Sequence, residues 1–151
     1  MEYFNICKPC MLTIDRRMPI FGQLSFLPMA TIKPVLRIFD YDKTVEFYVD
    51  WLGFTIDEIH EFEPGTTPKF MRISLNDVSF FLSEHHGDGS PGVHIHIEDF
   101  KGLKAYHKKL IDKKYKYNRP GLKPPFWDEN SLAMTVIDPV GNKITFFEKV
   151  K

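Results

Sequence analysis

Residues 35–54 read VLRIFDYDKTVEFYVDWLGF, and two hydrophobic patterns follow each other within them. Over residues 35–40 hydrophobic positions alternate with others, which predicts a β-strand. Hydrophobic residues then recur at the i, i+3, i+4, i+7 spacing of a helical face, at Val45, Tyr48, Val49 and Leu52. Gly53 follows where the C-cap of a helix belongs. The stretch therefore predicts a strand that leads directly into an amphipathic helix.

The same pattern returns later in the chain, which indicates an internal repeat. Residues 93–99 predict a strand and residues 100–111 a helix. A fixed offset of 59 residues (95 − 36) aligns four pairs: Leu36 with Ile95, Ile38 with Ile97, Asp40 with Asp99, and Phe47 with Tyr106. Asp40 and Asp99 each follow a predicted strand near a helix start. There a carboxylate can accept hydrogen bonds from free backbone N–H groups, so we expect both to cap helices.

Strand-like segments follow each predicted helix. They lie at residues 54–60, 70–75 and 78–83 in the first half, and at residues 115–118, 132–137 and 143–148 in the second. The segment at 115–118 has the weakest pattern. Each half therefore reads βαβββ, which predicts an α+β domain of two modules, at about residues 32–84 and 92–148.

The composition is that of one globular domain. The chain has 151 residues, 43% of them hydrophobic, and its 20 Lys and Arg balance 20 Asp and Glu. A net charge of zero predicts neither nucleic acid nor an anionic membrane as a partner. No apolar stretch approaches the roughly 20 residues of a membrane span. We therefore expect a cytoplasmic protein.

Residues 1–28 differ from the rest because they show no sustained period. They contain both cysteines, Cys7 and Cys10, but their C-x-x-C spacing lacks the strand–helix context of a redox motif and the second ligand pair of a zinc site. We expect residues 1–28 to be an extension and residues 29–151 to form the domain. The alternative is an additional strand or helix at the domain edge.

Two motifs at the ends of the domain resemble those of the glyoxalase/bleomycin-resistance/dioxygenase superfamily. Residues 36–54 resemble its opening strand, acidic turn and helix, with Phe-Tyr and then Leu-Gly-Phe. Residues 138–148, DPVGNKITFFE, resemble its closing Asp-Pro-x-Gly-Asn hairpin. The resemblance implies an open, U-shaped mixed sheet around a cavity, and a homodimer whose cavities are often shared between chains. Lyases, isomerases, dioxygenases and drug-binding proteins have this fold, so the site must decide the function.

The resemblance also locates the positions at which metal-dependent members have His, Gln or Glu ligands. Aligned on the two motifs, they fall at Lys33, Phe81, Gly92 and Thr145. A divalent metal needs imidazole or carboxylate lone pairs, which these residues do not supply. The sequence therefore predicts neither a metal nor another cofactor at this site. One alternative stays open, because a shift of two residues would bring His94 or His96 to a ligand position.

Strand parity indicates which side chains face the cavity, because successive residues lie on opposite faces of a strand. With Leu36 and Ile38 assigned to the core, Arg37 faces the cavity. The same rule assigns Phe81, His94, His96 and Thr145 to the cavity side. The two histidines are interpreted as hydrogen-bonding cavity residues, with a metal-binding pair as the alternative.

An aromatic pair, Phe126 and Trp127, follows Pro124 and Pro125. The resemblance places this loop at the cavity mouth, where rings on a stiff loop suit flat ligands. The alternative is that Trp127 only covers a hydrophobic edge. The predicted ligand-binding residues are thus Arg37, Phe81, His94, His96, Phe126, Trp127 and Thr145, and no catalytic residue is predicted.

We therefore predict a metal-free protein that resembles the bleomycin-resistance proteins and sequesters a small molecule. Parity also turns Lys33 and Lys143 toward the cavity, together with Arg37, and it turns no carboxylate there. Such a cavity suits a neutral or anionic ligand better than a cationic drug. The first alternative is a metal-dependent enzyme of the same fold, either a glyoxalase-like lyase or an extradiol dioxygenase. The second is a regulatory or immunity partner.

Overall fold

The strand–helix pattern of the sequence appears twice in the computed structural model, which describes residues 30–150; the expectations for residues 1–28 lie outside this range. The elements in chain order are β1 (Val35–Arg37), α1 (Tyr41–Val45), a π-helix (Glu46–Trp51), β2 (Thr55–His60), β3 (Phe70–Leu75), β4 (Val78–Ser83), β5 (His94–Ile97), α2 (Leu103–Asp112), β6 (Leu122–Lys123), β7 (Ser131–Ile137) and β8 (Lys143–Lys149). The predicted α+β class with two βαβββ modules is confirmed. No helix within residues 30–150 is long and apolar enough to cross a membrane.

The strands form two four-stranded mixed sheets with corresponding orders, β1-β4-β3-β2 and β5-β8-β7-β6. The first strand of each module pairs in parallel with the last, while the other pairs are antiparallel. This correspondence confirms the repeat. Within residues 30–150 no strand of one sheet is hydrogen-bonded to a strand of the other. The resemblance implied one open, U-shaped sheet, whereas the structure has two separate four-stranded sheets.

Asn142 occupies the junction between the two sheets. Its Nδ2 donates to the carbonyl oxygen of Arg37 at 2.9 Å, and its Oδ1 accepts from the N–H groups of Gly92 and Val93 at 3.0 and 3.2 Å. Nδ2 also donates to Asp138 at 2.8 Å. A fully buried amide therefore satisfies backbone groups of both modules, which is why β1 and β5 need not pair directly.

The helix-facing side of each sheet forms the core, as strand parity predicts. The strand residues buried there include Leu36, Phe80, Leu82, Ile97, Ile144 and Phe146. Polar contacts join the helical segments to the opposite module. The Tyr48 hydroxyl donates to Asp138 at 2.9 Å, and the Trp51 indole N–H donates to the carbonyl of Leu110 at 3.2 Å. Burial raises the pKa of Asp138, although hydrogen bonds from Asn142 and Tyr48 oppose this shift.

The two helix starts are capped differently. Asp40 caps α1 as predicted, because its Oδ1 accepts from the Lys43 N–H at 3.0 Å. The same prediction for Asp99 is wrong: its φ is +55°, and α2 begins only at Leu103. The carboxylate of Glu148 accepts instead from the N–H groups of Gly102 and Leu103, at 2.7 and 3.0 Å. Glu148, which is distant in sequence and lies on β8, thus caps α2, although the repeat predicted that Asp99 would do so.

The predicted strand at residues 115–118 is also wrong, because the short β6 lies at Leu122–Lys123. Tyr115 is instead held against the helical layer, where its ring stacks on Trp51 with centroids 4.9 Å apart. Pro120 and Pro124 flank β6 and have no N–H to donate, which limits the length of any ladder there.

Candidate functional site

The face of the second sheet that points away from the helices lines a cleft of about 640 Å³. Its floor comes from β5, β7 and β8 and contains His94, His96, Ala133, Thr135, Thr145 and Phe147. Strand register aligns His96 with Thr145, and Thr145 with Thr135. The loop from Lys123 to Trp127 forms the opposite wall. This volume lies within the usual range of small-molecule sites.

A chain of polar groups crosses the floor. The Thr145 hydroxyl, which is buried, lies 2.8 Å from Nε2 of His94 and 2.9 Å from the Thr135 hydroxyl. Desolvation of the His94 ring lowers its pKa, and the nearby charges of His96 and Lys143 lower it further. His94 is therefore neutral near pH 7, with one ring nitrogen donating and the other accepting. The floor can thus donate hydrogen bonds to a ligand and accept them from it. Among the described residues, it contains no carboxylate.

Aromatic rings line the deep and outer parts of the same cleft. The Phe147 ring lies 5.0 Å from the His96 ring and 6.1 Å from that of Trp127. Phe126 packs edge-on against Trp127, at 4.7 Å and 88°. Trp127 is 60% exposed and Phe126 94% exposed, so both rings lie at the mouth with surface available for stacking.

Five of the seven predicted ligand-binding residues line this cleft: His94, His96, Phe126, Trp127 and Thr145. Arg37 and Phe81 lie on the corresponding open face of the first sheet. Phe81 stacks on Phe70 at 5.0 Å, while the Arg37 guanidinium donates to the Ser83 carbonyl at 3.4 Å and lies 5.0 Å from the Phe39 ring. The structure thus separates the seven residues between two faces, and their contact with a ligand stays a prediction.

Sequence reasoning missed several residues of these faces. Ala133 and Thr135 lie on the open face of β7, which parity along that strand could have indicated. The first sheet also contains an ion-paired group, in which Arg72 lies 2.6 Å from Glu58 and 3.4 Å from Asp57. Glu58, Arg72 and Phe81 are in register on one face. The prediction that cavity-facing side chains include no carboxylate is therefore wrong for the first sheet.

The four family ligand positions do not fit a divalent metal. The Lys33 ammonium donates to the Ser79 hydroxyl at 3.3 Å, Phe81 stacks on another ring, and Gly92 offers only its N–H to Asn142. The Thr145 hydroxyl is already hydrogen-bonded to His94. Across residues 30–150 no group of three or more His, Cys, Asp or Glu side chains is placed to hold an ion. These donors lack the imidazole and carboxylate set that such a metal needs.

Two βαβββ modules, each with an open sheet face opposite its helix, define the fold class of the glyoxalases and their relatives. The chain belongs to the glyoxalase/bleomycin-resistance/dioxygenase superfamily. A family model described as "Glyoxalase superfamily protein" matches residues 14–151. A bleomycin resistance protein of Geobacillus stearothermophilus is 33% identical over 136 residues, which covers 78% of this chain and 96% of that protein.

Solved structures show the same fold at lower sequence identity. A glyoxalase-related enzyme from Clostridium phytofermentans superposes with a TM-score of 0.61 at 19% identity, covering 83% of this chain and 99% of its own. A bleomycin resistance determinant encoded on transposon Tn5 gives 0.59 at 18% identity, covering 80% and 98%. A bleomycin-binding protein complexed with bleomycin gives 0.55 at 19% identity, covering 80% and 99%.

Proposed function

We propose that this chain is a small-molecule binding protein of the bleomycin-resistance type, which sequesters an aromatic ligand without a metal and without changing it chemically. The observation that carries the proposal is the cleft of about 640 Å³, because its walls are aromatic and its floor offers hydroxyl and imidazole groups. Such a site can supply shape, stacking and hydrogen bonds. The relatives named for bleomycin resistance support an antibiotic as the ligand.

The alternative of a lyase or a dioxygenase has less support. Metal-assisted chemistry in this fold would need ligands at Lys33, Phe81, Gly92 and Thr145, and their donor atoms do not suit a divalent ion. His94 and His96 lie on one face with rings 4.5 Å apart, but two imidazoles alone leave a metal without its carboxylate partner. We therefore favour binding over catalysis.

A neutral aromatic amide such as naphthamide is the direct probe of this function, because a cleft whose described residues include no carboxylate does not favour a cationic drug such as bleomycin. We expect saturable binding in a calorimetric titration, unchanged after the protein has been dialysed against a chelator, because the cleft needs no metal to stack a ring. Mass spectrometry after prolonged incubation should recover the ligand with its mass unchanged. Turnover to a new product would contradict sequestration and favour the enzymatic alternative.

Elemental analysis of the mildly purified protein should find far less than one transition metal per chain, because the family ligand positions do not coordinate one. The matched control is the double variant His94→Ala/His96→Ala, which removes the remaining imidazole pair. About one Zn, Fe, Ni or Mn per chain in the wild type, retained in this variant, would contradict our interpretation of the four positions.

We also propose that the chain forms a homodimer, in which two subunits cover each other's open sheet faces. Support comes from exposed hydrophobic side chains near β1, since Ile32 is 96% exposed and Phe39 61% exposed. Sedimentation equilibrium at micromolar concentration should give twice the mass of one chain. A single species with the monomer mass would count against a cavity shared between chains. The cytoplasmic location expected from the sequence stays a prediction.

A further inference from the structure

We infer that the cleft of the second sheet selects aromatic ligands that carry a negative charge, with an aromatic carboxylate as the simplest example. This inference rests on the proposed function and names the chemical class of its ligand.

Among the described residues that line the cleft, Lys123 alone has a formal charge at neutral pH, and none is Asp or Glu. Lys123 lies on β6, in register with Ala133 of the floor, and it is exposed. A bound ammonium group would therefore lose water without gaining a carboxylate in the cleft, whereas a bound carboxylate can pair with Lys123.

A second cation, the exposed Lys143, lies beside the cleft without lining it. Lys143 is in register with His94, and its charge contributes to the lowered pKa of that histidine. Desolvation is the main cause of that lowered pKa and disfavours any charge, whereas the positive charge of Lys143 disfavours a cation beside His94 and favours an anion. The His96 ring can donate a hydrogen bond to a carboxylate that pairs with Lys123.

Most nearby carboxylates are turned away from this space or are engaged elsewhere. Glu148 accepts from the backbone at the start of α2, on the core side of the sheet. Asp128 accepts from the N–H of Asn130 within its own turn, at 3.0 Å. Glu98 lies at the rim, 4.0 Å from Nδ1 of His96 and 67% exposed, and it offsets one of the two lysine charges. None of these carboxylates lines the cleft, so the charge of its lining is the positive charge of Lys123.

The open face of the first sheet has charges of both signs. Asp57 and Glu58 are both ion-paired with Arg72. Lys33 and Arg37 add two further cations, and Asp88, which accepts from the Ser83 hydroxyl at 2.5 Å, adds a third carboxylate, so the charges balance. A dimer that brought such a balanced face toward the cleft would therefore not reverse its preference for anions.

Three naphthalene derivatives that share a ring and differ in charge test this inference: naphthoate, naphthamide and naphthylmethylammonium. In calorimetric titrations at low salt we expect naphthoate to bind about tenfold more tightly than naphthylmethylammonium, with naphthamide between them. Lys123→Glu should abolish or reverse this order. Lys104→Glu, which makes the same charge change on the exposed side of α2, should preserve it. Trp127→Ala should weaken all three probes alike and so locate them in this cleft.

The outcomes separate the inference from the function on which it rests. Naphthylmethylammonium binding as tightly as naphthoate would overturn the charge preference and leave the binding function intact. A preference for naphthoate that survives Lys123→Glu would also overturn it, because the selectivity would then come from elsewhere. If none of the probes binds saturably, the proposed aromatic site itself is wrong.

Discussion

Replacing Asn142 by alanine is expected to lower the free energy of unfolding by about 2–4 kcal/mol. The side chain accepts from two backbone N–H groups before β5 and donates to the Arg37 carbonyl and to Asp138. Alanine would leave these groups at a buried junction without their partners, and each unsatisfied group costs about 1–3 kcal/mol before water or relaxation compensates. Urea denaturation followed by circular dichroism measures the change.

Asn118→Ala is the matched control for this experiment. Asn118 makes one exposed hydrogen bond, from its Nδ2 to the Ile137 carbonyl at 2.8 Å, so its loss should cost about 1 kcal/mol or less. Similar losses in the two variants would show that the Asn142 amide does not hold the two modules together.

Trp127→Ala should reduce ligand affinity by about 1–3 kcal/mol, the range found for aromatic stacking on nucleobases. The stability of the fold should change much less, because Trp127 is 60% exposed at the mouth of the cleft. Pro124 and Pro125 stiffen its loop, so little conformational entropy is lost when a ring stacks there. Calorimetric titration gives the affinity, and thermal unfolding without ligand gives the stability.

Phe62→Ala provides the comparison for this prediction, since Phe62 is 91% exposed and lies between β2 and β3. It should change neither the affinity nor the stability appreciably. Unchanged affinity together with a large loss of stability in Trp127→Ala would mean that this side chain covers a hydrophobic edge, the alternative that the sequence leaves open.

The expected partnership of Trp127 with Arg37 changes in the structure. The sequence assigned Arg37 to the same cavity as Trp127, because parity turns Arg37 away from the core. That orientation agrees with the structure, but Arg37 lies on the first sheet, whereas Trp127 lies beside the second. Within the cleft, Lys123 is the cation available to a ligand. A role for Arg37 therefore requires the open faces of two sheets to meet, as in the proposed dimer.

Hydrophobic periodicity determined the fold because it records which side of each element is buried. Alternation at residues 35–40 and the helical spacing that follows reported a local property, so the strand, the helix and the buried positions Leu36 and Ile38 could be predicted without knowing the neighbours. The fixed offset extended this prediction to the second module. The same parity assigned His94, His96 and Thr145 to the open face, where they line the cleft.

Tertiary structure decided the features that depend on residues far apart in the chain. Glu148 rather than Asp99 caps α2, Asn142 joins two sheets, and Arg72 neutralises carboxylates on the neighbouring β2 strand. A hydrogen bond or an ion pair leaves no period in the sequence, because it needs only two side chains that folding brings together. The sequence by itself therefore determined the modules and the facing of their side chains, and the tertiary structure determined which faces form the cleft and what charge it has.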